Sequence, residues 1–260
     1  MSVYGLITKI AIQDTLEYRV NFLLSTIKYS LMIVFTALVW LAVEQSNPAA
    51  SYTRAETITY FVGAAILYTL SNFHPYEIEV DIKQGGLSRF LVKPISPHWF
   101  YVVKIGAESG LATLLKAVSF VPLAYMFGFS FHAESLQLAL FSLYIPLIFY
   151  VSFLLLSSIS VCAFWFTEIF AVRWGLTVLF RFLSGLLLPF DYFPEWAQSI
   201  LILTPFPHLA STPIRLLQGA LTVQESLIGL CTLALWGVVL HIGNQWLWRM
   251  GIQEYEGTGI

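Results

Sequence analysis

Besides Lys28, which lies in the first two turns of its run and can snorkel to the interface, four charged side chains lie inside long apolar runs of this 260-residue chain: Lys104, Glu108, Lys116 and Arg181. Placing such a group in hydrocarbon costs a few kcal/mol on insertion scales, so each needs a partner, a route to the interface or a polar passage. Lys104 and Glu108 stand at i and i+4, a spacing that lets a cation and a carboxylate pair on one helix face. Lys104 is also close enough to the start of its run to snorkel. Lys116 and Arg181 have no obvious partner in their own runs and face either a partner subunit or a polar pathway. The chemistry open to these four is ion pairing, contact with a polar solute, or a relay through Glu108 and Arg181. Metal chemistry finds little support. His74, His98, His132, His208 and His241 are scattered, and Cys162 and Cys231 sit in separate apolar runs as small hydrophobes. No Walker-type G-x-x-x-x-G-K-S/T, G-x-G-x-x-G after a strand, or H-E-x-x-H motif occurs.

A second charged set is compact. Glu77, Glu79, Asp81, Lys83, Arg89 and Lys93 fall within PYEIEVDIKQGGLSRFLVKPISPHW, residues 75–99, between two apolar runs of membrane length. Gly85 and Gly86 supply a turn, and Pro94 and Pro97 stop any helix that begins after it. Between them LSRFLV reads as a short amphipathic helix with Leu87, Phe90 and Leu91 on one face. A charged turn-and-helix island of this kind suits a docking loop; a solvated connector is the plainer alternative.

The elements that position these groups follow from composition. The chain is 58% hydrophobic and 11% charged, against about 25% charged for soluble domains. The fold class expected is an all-α integral membrane protein, a single domain over residues 1–260 with six transmembrane helices. Residues 2–20 form an interfacial amphipathic helix, with Val3, Leu6, Ile7 and Ile10 on one face. Spans are expected at about 22–43, 57–73, 100–127, 137–161, 172–188 and 227–248, each near the length that crosses a core of roughly 30 Å. Pro146 should kink the fourth. Residues 189–226 contain an apolar stretch, Ile200 to Leu203, too short to cross, and read as a pair of short re-entrant or capping helices. The N-terminus lacks the residue order of a cleaved leader, so the first span is expected to be its own insertion signal.

Orientation follows from cationic residues. With the N-terminus inside, Lys9, Arg19, Lys83, Arg89, Lys93, Arg173 and Arg249 are cytoplasmic, and Arg54 and Arg215 are outside. Both termini are therefore expected in the cytoplasm. Trp99, Tyr101, Trp246 and Trp248 then fall at the inner interface, and Tyr192, Phe193 and Trp196 at the outer. A net charge of -2, with no basic cluster interleaved with aromatics, gives no reason to expect nucleic acid.

The pattern D-I-x-x-G-G-L-x-x-x-L-V-K-P at 81–94 resembles the loop after the second span in permeases of type-2 ABC exporters. SGLLLPFDYFPEWAQSILILTPFPHLASTPIRLLQG, residues 184–219, is similar to the region around the end of their fifth span. In span number and loop order the resemblance covers the whole chain, and is nearest to the six-span permeases labelled viologen or multidrug exporter components. It implies a permease subunit of the cell membrane that is no enzyme itself. It also implies a dimer, with itself or a sister permease, and two separate ATP-binding subunits that carry ATP and Mg. By the same resemblance Glu77, Glu79, Asp81, Lys83, Gly85, Gly86, Arg89, Lys93 and Pro94 would dock the ATPase. Pro189, Phe190, Phe193, Pro194, Trp196 and Pro205 would belong to an extracellular cap, and Tyr68, Phe180 and Arg181 to the substrate path. The other readings are an ion-gradient transporter using Glu108 and Arg181, and a membrane-embedded enzyme, which would need a His, Asp or Glu cluster at the span ends that the sequence lacks.

Overall fold

The computed structural model describes residues 3–17, 53–71, 73, 75–92, 95–126 and 133–255, with scattered positions between 20 and 42. Among the described residues every regular element is helical. In chain order these are α1 (Val3–Glu17), α2 (Arg54–Ser71), α3 (Tyr76–Lys83), α4 (Ser88–Leu91), α5 (Pro97–Met126), α6 (Ser135–Val161), α7 (Phe170–Leu183), α8 (Glu195–Leu201), α9 (Phe206–Leu209), α10 (Ser211–Leu217) and α11 (Val223–Gln253). Among the described residues two helical stretches, Ser135–Phe164 and Val223–Gln253, are long and apolar enough to cross a membrane. The 30-residue α5 has the length, but it carries Lys104, Glu108 and Lys116. The expected first span is described only at scattered positions; those, such as Trp40, are helical.

α6 and α11 form the spine. They pack along their length, and Asn244 bridges them by donating to Ser157 Oγ at 3.0 Å and Ser158 Oγ at 2.9 Å. In hydrocarbon such interhelical hydrogen bonds hold helices that gain nothing from hydrophobic association. α6 runs through Pro146, and α11 starts on a capping box in which Thr222 and Glu225 satisfy each other's backbone N–H. α2 lies across α5 and α6, and α1 lies along α5.

The bundle has two distinct ends. At one, α3, α4, the start of α5 and the finish of α6 and α11 share a core containing Ile78, Ile82, Leu87, Phe90, Tyr101, Phe153, Phe164 and Trp248. Gly251 makes this junction close: a β-carbon there would run into the Phe164 ring. At the other end α8, α9 and α10 cover the starts of α2, α6 and α11. Gln218 donates to the Glu56 carbonyl at 2.8 Å, and Tyr144 donates to the Ser226 carbonyl at 2.7 Å.

The structure departs from several expectations. Residues 76–83 are not loop but a full helix, closed at Gly85 (φ +78°). Pro97 does not merely end what precedes it; it opens α5, where a missing N–H costs nothing. α7 stops at Leu183, and its 14 residues rise roughly 21 Å at 1.5 Å each. Gly185, at φ +90°, turns the chain away, and Tyr60 donates to its carbonyl at 2.8 Å. The segment 189–226 holds three short α-helices and one turn of 3-10 helix rather than two helices. Of the aromatics assigned to interfaces, Tyr101, Trp248 and Phe193 are buried, whereas Trp99, Trp246 and Trp196 are exposed.

Candidate functional site: a charged island joined to a polar-faced helix

The island at 75–92 is a helix-turn-helix standing on an apolar foot. Ile78, Ile82, Leu87 and Phe90 are buried beneath it, and Tyr76, Gln84, Ser88, Arg89 and Val92 face outward. The two glycines serve different needs. Gly85 takes a left-handed backbone conformation, which an L side chain disfavours. Gly86 packs against Asp81, and a β-carbon would overlap the carboxylate. Asp81 in turn accepts from Arg89 and from the Tyr101 hydroxyl, tying α3 to α4 and α5. Glu77 pairs with Lys104. That corrects the expected Lys104–Glu108 pair: the lysine reaches across to α3 instead of along its own helix. Lys93, Pro94 and the Leu91 side chain lie outside the described residues.

Glu79 is the centre of the charge network. It is 5% exposed, and its oxygens meet Lys83 Nζ and Arg173 Nη2, each at 2.7 Å. Arg173 belongs to the first turn of α7 and lies over the Tyr76 ring, 5.5 Å from its centre. The sequence reading counted Arg173 only as a cytoplasmic charge and missed this role. Its place just before an apolar run was the available signal, but nothing local named Glu79 as the partner. Beside the pair opens a cavity of about 280 Å3, lined by α3 residues Tyr76, Glu79 and Lys83 and by Glu168, Phe170 and Arg173.

α7 reverses the usual pattern of a helix on a soluble core. Its buried positions are Arg173 and Thr177, followed by Ser184 just past its end; Phe170, Val172, Trp174, Val178, Leu179 and Phe182 are exposed. At about 100° per residue, Arg173, Thr177, Phe180, Arg181 and Ser184 fall within roughly 100° of arc. The polar stripe faces the bundle and the apolar side faces out.

Of the three residues expected on the path, Tyr68 and Arg181 meet, and Phe180 adjoins Arg181 on α7. Arg181 donates to the Tyr68 hydroxyl and sits over its ring, 4.6 Å from the centroid. Phe180 stacks on Phe206 at 5.3 Å. Phe180 and Arg181 line a cavity with Ser71, Ser152, Thr177 and Ser184. Its volume is about 30 Å3, room for water and for no larger solute. Lys116 is also buried and donates to Thr69 Oγ1 on α2 at 3.3 Å.

The expected cap residues form a small knot at the far end. Phe190, Phe193 and Ala197 bury one another, Pro194 precedes α8, Pro205 precedes α9, and Trp196 points outward. Within the capping segment Asp191 pairs with Arg215 of α10 at 3.2 Å, and Trp40, whose ring lies 4.8 Å from that of Tyr192, joins it to the expected first span. His208, held by Thr212 and the Ile202 carbonyl at 2.9 Å each, is structural here.

A family model described as ABC-2 family transporter protein matches residues 30–259. No curated protein matches the chain.

Proposed function

Since the chain belongs to the ABC-2 family of transporter proteins, multi-pass permease components of ABC transporters in the cell membrane, we propose that it is the permease of an ATP-driven exporter, working as a dimer with separate ATPase subunits. The six-span arrangement, with both termini cytoplasmic, belongs to the same proposal. The island end of the bundle is the cytoplasmic end, because α3, α4 and the finish of α11 converge there together with Lys83, Arg89, Lys104 and Arg173. Residues 75–92, with Lys93 and Pro94, receive the ATPase. The α8–α10 knot caps the path on the outside, and the route between α2, α6 and α7 passes Tyr68, Phe180 and Arg181.

The observation that carries this reading is α7, a helix with its polar stripe inward and its apolar side outward. In water that arrangement would be unstable; in lipid it is how a helix lines a polar route. ATP and Mg belong to the partner subunit. The test is purification of the membrane-extracted chain with whatever binds it. The expected result is a co-purifying ATP-binding subunit, with no hydrolysis by the permease alone. A chain that moves solute on a proton gradient after ATP depletion would overturn the reading.

A further inference from the structure

The joint between the island and α7 is one buried ion pair. Glu79 and Arg173 are each 5% exposed and meet at 2.7 Å. Lys83 occupies the other oxygen of Glu79, and Tyr76 underlies the guanidinium. Arg173 Nη1 and Glu79 Oε2 are both buried without a hydrogen-bond partner among the described residues, so charge holds the two together, and Glu79 is the carboxylate that this guanidinium meets. The apolar side of α3 is spent on α5, α6 and α11.

We propose that Glu79 and Arg173 are a positioning pair that makes α3 and α7 move as one body, so that displacement of the island is delivered to the polar route at the other end of α7. This rests on the island being where the ATPase docks. Parting the pair would leave the Arg173 guanidinium uncompensated in a buried site, since Lys83 stays with Glu79, and that costs far more than shifting both together. The link is therefore stiff in the direction that matters, whatever its net contribution to stability. From Arg173 the pull travels along α7; hydrogen-bonded helix rises roughly 12 Å before it reaches Arg181. Thr177 continues the same face, its hydroxyl donating to the Arg173 carbonyl at 2.8 Å.

The experiment uses the permease–ATPase complex in phospholipid nanodiscs, with Cys162 and Cys231 changed to Ser and a reporter Ser184→Cys in the polar cavity. The rate of maleimide labelling is read with and without a non-hydrolysable ATP analogue. In this parent complex the analogue should change the rate by about fivefold or more, the lower bound of typical coupling between sites. Arg173→Glu should abolish that response while the ATPase still co-purifies and hydrolyses ATP, and Glu79→Arg should abolish it as well. The exchanged pair, Glu79→Arg with Arg173→Glu, should restore it, and Arg173→Lys should keep part of it. A full response in either single reversal overturns the inference and leaves the docking reading standing. Should the single reversals fail to accumulate, a well-assembled exchanged pair that does not respond overturns it equally. A parent complex without ATPase, or without any nucleotide response, sinks the docking reading and this inference with it.

Discussion

Gly86 lies against Asp81 so closely that even a methyl group at that position would displace the carboxylate from Arg89 and Tyr101. Gly85 beside it is limited by backbone angle rather than space, at a cost of about 1–2 kcal/mol for an L side chain in the left-handed region. Replacing both glycines with bulky residues should leave ATP hydrolysis running without transport in reconstituted vesicles. Gly86→Ala alone should do most of this. Unchanged transport would remove the island from the coupling route.

Val92 stands 81% exposed at the finish of α4, an apolar side chain on the outward face of a charged element. Val92→Asp should therefore weaken ATPase association roughly tenfold, the scale of an interface anchor, without lowering the thermal stability of the permease. The paired measurements are ATPase binding to the immobilised permease and a melting curve in detergent. Retained binding would place the ATPase contact elsewhere.

Arg181 and Tyr68 meet across α7 and α2. Arg181→Ala removes a half-buried charge and its hydrogen bond, worth about 1.5–3 kcal/mol, and should cut transport by about tenfold or more. Tyr68→Phe should have a smaller effect, because the ring still underlies the guanidinium. ATPase co-purification should be normal in both. A neutral Arg181→Ala would rule the residue out of the path.

Asn244 joins α11 to α6 through two serine hydroxyls. Asn244→Ala should lower stability by about 1–2 kcal/mol, within the range for polar contacts between membrane helices. A drop in melting temperature in detergent, with ATPase binding intact, is the expected result.

Thr222 caps α11, and its hydrogen bonds hold the Glu225 carboxyl below its ordinary value. A carboxyl with a depressed value stabilises the fold above its unfolded-state value and loses that contribution as pH falls through the folded one. Thr222→Ala should cost about 1 kcal/mol near neutral pH. The gap from the parent should narrow as Glu225 becomes protonated in acid. Melting curves taken from neutral pH into the acid range check the sign.

Local chemistry was legible in the residues themselves. Apolar runs of membrane length, the glycine turn, the short helix after it and the proline-rich return all follow from neighbours within a few positions. So did the likeness of 81–94 and 184–219 to ABC permeases, which the family match now supports. The trio Tyr68, Phe180 and Arg181 came from that likeness; the fold joins Tyr68 to Arg181 and sets Phe180 and Arg181 in the lining of one cavity.

Partnership could not be read the same way. Periodicity says which face a side chain occupies, but not what is packed against that face. Glu79 and Arg173, Glu77 and Lys104, and Lys116 and Thr69 are each brought together only when helices far apart in the chain pack side by side. The same holds for Tyr101 and Trp248, which look like interface aromatics along the chain and are buried because two helix ends converge on them. A single chain of residues determines which segments are helical and apolar, because those preferences are local. Which charge answers which is settled by packing, because burial makes an unanswered charge costly and the answer must come from another element.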